Sequence, residues 1–136
     1  MIFDTNVVIA LLDRSGVPEI RDRIVELLAS GKVYINEIVF AEVATHFSGA
    51  DLALAHLTEL GLTLSRLSLE DCHRAGTAFA RYRRSGGLRT AILPDFLIGA
   101  QAAGQGWPIV TRDRKGFARY FPGVDLIDPY ADPDRA

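Results

Sequence analysis

Sulfur and imidazole are scarce in this chain of 136 residues, which has one cysteine, one methionine and three histidines. A single cysteine, Cys72, cannot close an internal disulfide, so the composition fits a reducing compartment. Cys72 falls in a helix-like stretch and reads as a small apolar filler. There is no CxxC pair, and His46, His56 and His73 lack metal-ligand spacing among themselves, which argues against zinc. Long hydrophobic runs are missing as well. The apolar stretch Val7 to Leu12 is too short to span a bilayer and is bounded by Asp4, Asn6 and Asp13. The expectation is a cytoplasmic protein with no membrane association. Lysine occurs twice, against thirteen arginines, and the net charge of −2 does not announce a nucleic-acid binder in bulk.

What is present is an ordinary globular composition, 49% hydrophobic and 24% charged. Its length suits one domain that buries roughly two thirds of the unfolded chain's surface. The expected division is a domain over residues 1–129 and a loose tail over 130–136, where the chain reads Asp-Pro-Tyr-Ala-Asp-Pro-Asp-Arg-Ala from Asp128. Charge is unevenly spread. From Arg81 to Arg119 there are eight basic residues and only two acids, Asp95 and Asp113. Arginine donates two hydrogen bonds from a planar fork, which suits phosphate. Arg84, Arg89, Arg112 and Arg114 are the candidates for contact with a phosphate backbone, although a solvated helix face would look the same residue by residue.

Strand and helix signals alternate. Met1 to Asp4 reads as a short strand, followed by a helix over Thr5 to Leu12. Pro18 to Ala29 has amphipathic spacing. Lys32 to Ile35 reads as a strand, and Asn36 is an N-cap for the helix carrying Glu42. A further helix covers Ala50 to Leu60. Leu62, Leu64 and Leu67 mark a weaker strand. Ser68 and Asp71 form the outer positions of a capping box for a helix reaching Arg84. Pro94 opens a helix that ends near Gly104. Ile109 to Thr111 is a strand, Gly116 to Tyr120 a short helix, and Val124 to Ile127 a last strand. Strands separated by helices predict an α/β protein with a central, mainly parallel sheet. Such sheets bind ligands at the carboxyl ends of their strands, where Asp4 and Asp113 fall.

Four acids stand among core-forming neighbours: Asp4 after Ile2-Phe3, Glu42 between Ala41 and Val43, Asp95 within Leu93-Pro94-Asp95-Phe96-Leu97-Ile98, and Asp113 after Ile109-Val110-Thr111-Arg112. A carboxylate in such company is costly to bury unless it is paired or bound to metal. Two have simpler explanations, Asp4 as a helix cap and Asp95 as a dipole-stabilised acid in a first turn. Four acids from four segments are harder to explain separately. An oxygen-rich set suits a hard cation such as Mg²⁺ or Mn²⁺, and phosphodiester hydrolysis is the chemistry such a set serves best. His46 lies four residues after Glu42 and reads as a chance neighbour.

Ile2-Phe3-Asp4-Thr5-Asn6, Leu93-Pro94-Asp95-Phe96-Leu97-Ile98-Gly99-Ala100, Ile109-Val110-Thr111-Arg112-Asp113 and Tyr120-Phe121-Pro122-Gly123-Val124, in this order, resemble the PIN-domain family, and within it the VapC-type toxins of bacterial toxin–antitoxin pairs. The resemblance runs from Met1 to about Pro129. It implies a PIN-like three-layer α/β/α fold. It implies that Asp4, Glu42, Asp95 and Asp113 are catalytic, that Asp4, Asp95 and Asp113 hold Mg²⁺ or Mn²⁺, and that Asn6 and Thr111 support them. It further implies a metal-dependent endoribonuclease acting on RNA, a cognate antitoxin as partner, and a homodimer. Glu37 competes with Glu42 for its place. The family often carries an acid where Gly116 stands and a histidine where Gln101 stands. Two other readings begin from the same residues. A phosphotransfer domain also has an aspartate after its first strand, but Asp4-Thr5-Asn6 lacks the second acid of a D-x-D motif. A non-catalytic PIN-fold module would hold RNA or protein without cutting it.

Overall fold

The computed structural model describes residues 1–131; positions 132–136 of the expected tail lie outside the described residues. Five strands and seven helices follow one another as β1 (Ile2–Phe3), α1 (Thr5–Leu12), α2 (Pro18–Ser30), β2 (Val33–Ile35), α3 (Glu37–Ala44), α4 (Ala50–Glu59), β3 (Leu62–Leu64), α5 (Leu69–Arg84), α6 (Pro94–Gln105), β4 (Ile109–Val110), α7 (Arg114–Tyr120) and β5 (Leu126–Ile127). The sheet order is β3-β2-β1-β4-β5, and every pairing is parallel. Parallel strands need crossovers, and the helices that make them cover both faces, giving three α/β/α layers. The strand residues show it: Ile2, Phe3, Val33, Ile35, Ile109 and Val110 are all buried, although consecutive strand residues point to opposite faces.

Local chemistry sets most helix boundaries. Asn36 accepts from the backbone N–H groups of Ile38 and Val39 and so starts α3. Ser68 and Asp71 close a reciprocal capping box on α5. Pro18 and Pro94 open α2 and α6 at the position where a missing N–H costs nothing. The strands are shorter than the sequence suggests. Asp4 still donates its N–H to the Val110 carbonyl, but its side chain caps α1 and the backbone turns there. Leu67 lies beyond β3, and Cys72 is exposed on α5 rather than filling the core.

The chain leaves β1 in one direction, through β2 to β3, then returns across the sheet to β4 and β5 on the other side of β1. The order therefore reverses between β1 and β4. Beyond the carboxyl ends of those two strands the loops diverge and leave a crevice. At the opposite end of the sheet, Trp107 stacks on Tyr34 with ring centroids 4.2 Å apart and planes within 5°.

Two packing features hold α6 in place. Gly99 lies against the ring of Phe121, and a methyl group at that position would strike the ring. Gln101 is fully buried and bridges three segments. Its Oε1 accepts from Asn36 Nδ2 at 3.1 Å, and its Nε2 donates to the Ser65 and Arg66 carbonyls at 3.1 and 3.3 Å. At the chain's end, Arg23 donates to the carbonyls of Pro129 and Ala131, which fixes the first residues of the expected tail. Among the described residues no helix is long and apolar enough to cross a membrane.

Candidate functional site

Asp4 is the hub. It ends β1, caps α1 and is 5% exposed. Its Oδ1 accepts from the Thr5 N–H at 2.8 Å. Its Oδ2 accepts from Asn6 Nδ2 at 3.0 Å and from the Thr111 hydroxyl at 2.8 Å. Asp4 is thus both the cap and the centre of the acidic site. Thr111, fully buried, also accepts from the Asp113 N–H at 3.0 Å, so a single hydroxyl links the acids that follow β1 and β4. Asn6 Oδ1 accepts from the Arg112 N–H at 3.2 Å and ties the same two loops together.

Glu42 joins through a residue that sequence reasoning misses. The Thr5 hydroxyl donates to Glu42 Oε1 at 2.9 Å, connecting the first turn of α1 to α3. The only signal for it in the sequence is a hydroxyl next to Asp4. Glu37 is committed elsewhere, accepting from the Leu67 N–H at 2.8 Å. His46 turns to the Val43 carbonyl. Asp95 lies in the first turn of α6, after Pro94.

Asp4 and Asp95 both lie within the field of Glu42 and Asp113. Asp95 is pushed up to about 6, first by burial of its carboxyl and then by the charges of Asp4, Asp113 and Glu42. Burial also raises Asp4; the hydrogen bonds from Thr111 and Thr5 oppose that rise, and the charges of Glu42 and Asp113 add to it. The four acids read from the sequence lie near one another, and Asn6 and Thr111 bond directly to Asp4.

The arginines divide. Arg112 and Arg114 flank Asp113 at the site; the Arg112 guanidinium lies 5.2 Å from the Tyr130 ring centroid, and Arg114 pairs with Asp128 at 3.7 Å. Arg84 and Arg89 are exposed at the end of α5 and in the loop that leads to Asp95. Neither ion pair among the described residues, Arg74–Asp71 or Arg114–Asp128, involves the four acids. Asp4 is buried and Glu42, Asp95 and Asp113 are open to solvent around it; four carboxylates so placed, with no ion pair to them among the described residues, fit a hard divalent ion. Asp4, Asp95 and Asp113 are the residues that would hold it. Among the described residues no three acids, histidines or cysteines already stand at closed coordination spacing.

A parallel three-layer sheet with an acidic site at its switch point defines the class of this protein. The PIN domain family model matches residues 1–121, and the chain belongs to that family. Solved structures share the fold. One is VapBC2 from Rickettsia felis bound to a DNA fragment from its promoter, with 22% identity, 94% of this chain and 98% of that chain covered, and a TM-score of 0.70. A toxin–antitoxin complex from Klebsiella pneumoniae matches at 25% identity over 96% and 98% of the two chains, with a TM-score of 0.67. VapBC-1 from nontypeable Haemophilus influenzae matches at 20% identity over 96% and 100%, with a TM-score of 0.71. A comparison with curated protein sequences finds no match.

Proposed function

We propose that this chain is a Mg²⁺- or Mn²⁺-dependent endoribonuclease and the toxin of a toxin–antitoxin pair. The observation that carries the reading is the meeting of Asp4, Glu42, Asp95 and Asp113 at the switch point, where Glu42 and Asp113 act on both Asp4 and Asp95 and neither ion pair among the described residues involves the four. Family membership and the toxin–antitoxin complexes among its structural neighbours support it.

When bound, the divalent ion supplies an acidified water and offsets charge on the phosphate and the leaving oxygen. Asp4, Asp95 and Asp113 would provide the oxygens that hold it. Thr111 and Asn6 fix Asp4 Oδ2, so the hub does not swing away. Glu42 is anchored through Oε1 to Thr5, and its Oε2, unbonded among the described residues, is the open proton acceptor. Arg84, Arg89, Arg112 and Arg114 supply the positive surface for the RNA backbone.

Purified protein with Mg²⁺ or Mn²⁺ should cut RNA internally, and Asp4→Asn or Asp95→Asn should stop it while circular dichroism stays native. Folded protein that binds Mn²⁺ yet cuts no RNA would be the non-catalytic module instead. The partner side of the reading is a cognate antitoxin, in a cytoplasmic setting. A homodimer belongs to the same reading, and light scattering on the eluted protein would measure it.

A further inference from the structure

A pocket of about 180 Å³ opens beside Asp95, where the end of α5, the first turn of α6 and α7 meet. Leu93, Phe96, Tyr82 and Tyr120 line it, and Asp95 is the only acid in its wall. The rings stand at steep angles. Tyr82 and Tyr120 are 5.9 Å apart at 72°, and Tyr82 and Phe96 are 5.7 Å apart at 64°. Protein interiors normally close such space. Here the lining includes Gly116, and a Cβ at that position would meet nothing within 4 Å.

Arginines gather around the two tyrosines. The Arg119 guanidinium lies 5.3 Å from the Tyr120 ring centroid, and Arg81 donates to the Tyr120 carbonyl. Arg83 donates to the Arg89 carbonyl, and the Arg89 N–H donates to the Tyr82 hydroxyl at 3.3 Å. That hydroxyl keeps its own proton for another acceptor.

We propose that this pocket receives one unstacked base of the RNA, beside the phosphodiester bond presented to the acidic cluster. The proposal rests on the ribonuclease reading. Single-stranded RNA is recognised through bases laid on aromatic rings and hydrogen-bonded at their edges, with cations on the backbone. The pocket offers walls of aromatic side chains, although Phe79 stacks on one face of Tyr82 and Arg119 lies over Tyr120, together with a tyrosine hydroxyl and arginines beside both tyrosines. A partner peptide is the competing occupant. It would meet the same Tyr82 hydroxyl and Asp95, but its backbone gains nothing from walls made of aromatic rings, which suit a flat base. The base is the better fit, and its identity would set one position of the cleavage sequence.

The test uses short oligoribonucleotides with 2-aminopurine at successive positions, mixed with the protein and Mn²⁺ and read in stopped flow before cleavage. One position should be quenched on binding to the wild-type chain. Gly116→Leu plugs the mouth from an exposed helix position and favours the helix. It should abolish that quench and weaken binding about tenfold, the scale of one lost stacking contact. An oligonucleotide abasic at that position should bind both proteins equally. Tyr120→Leu should act in the same direction and guards against an effect peculiar to residue 116. Unchanged quench and affinity in both variants would overturn the pocket and leave the ribonuclease standing. Lost binding of an antitoxin with RNA binding intact would overturn it too, and assign the pocket to a peptide. Wild-type protein that neither binds nor cuts any RNA sinks the ribonuclease reading and the pocket with it.

Discussion

Replacing Asp95 by asparagine should stabilise the metal-free protein while destroying its chemistry. The carboxyl is held at about 6, against an ordinary value of 3.8, by burial and by Asp4, Asp113 and Glu42. At full strength a rise of that size is worth about 3 kcal/mol. Asp95 is nonetheless an exposed residue, and solvent screening reduces the figure to about 1–2 kcal/mol. The sign follows from linkage. A group whose pKa rises on folding binds its proton more tightly in the native state, so its contribution is favourable below the unfolded value and is lost as pH rises through the folded one. The gain from Asp95→Asn should therefore be absent below about pH 4, grow between 4 and 6, and be complete at pH 7 and above. For 136 residues, an unfolding entropy of about 2.1 cal/mol/K per residue converts this to roughly 3–7 °C in Tm. Thermal melts followed by circular dichroism at 222 nm, in EDTA at pH 4 and pH 7.5, measure it. With Mn²⁺ added the order should invert, because only the wild-type cluster gains binding energy. A variant that melts lower than wild type at pH 7.5 in EDTA, or shows the same gain at pH 4, refutes the account of a repulsive site.

Thr111→Val keeps the shape but removes the hydroxyl shared by Asp4 and the Asp113 N–H; the expected loss is about 2 kcal/mol, seen as a melt lowered by roughly 7 °C at neutral pH. Gln101→Leu leaves Asn36 Nδ2 and the Ser65 carbonyl without their buried partner and should cost about 2–3 kcal/mol in urea unfolding, with Mn²⁺ affinity falling as α6 loosens. Arg89→Ala should weaken RNA binding at low salt and reduce the slope of log affinity against log salt by about 0.7, the value for one single-strand phosphate contact. An unchanged slope would remove Arg89 from the backbone-binding set.

The helices are legible in the sequence because their end signals are local. Asn36, the Ser68–Asp71 box, Pro18 and Pro94 act within one turn of themselves, and each stands where the sequence places it. Strand ends are less legible. Asp4 and Thr111 still give their N–H groups to the neighbouring strands, yet their side chains are drawn into the site and the strands end one residue before them. The strand order is a product of packing between distant segments, and nothing in the spacing of apolar residues encodes it. In the site, the acids stand out because each has apolar neighbours in sequence, although only Asp4 is buried and Glu42, Asp95 and Asp113 are exposed. The Thr5–Glu42 link and the Asn36–Gln101 bridge span 37 and 65 residues, and their members look like ordinary polar residues until the chain is folded.

The stack of Trp107 on Tyr34 has a practical consequence. It is the chain's single tryptophan, and it sits at the amino-terminal edge of the sheet, away from the carboxylates. Its emission spectrum should therefore register whether the β1, β2 and β4 framework is intact and stay indifferent to what fills the crevice. A silenced variant with native emission has lost chemistry, and one with shifted emission has lost its fold, so the chain carries its own fluorescent control.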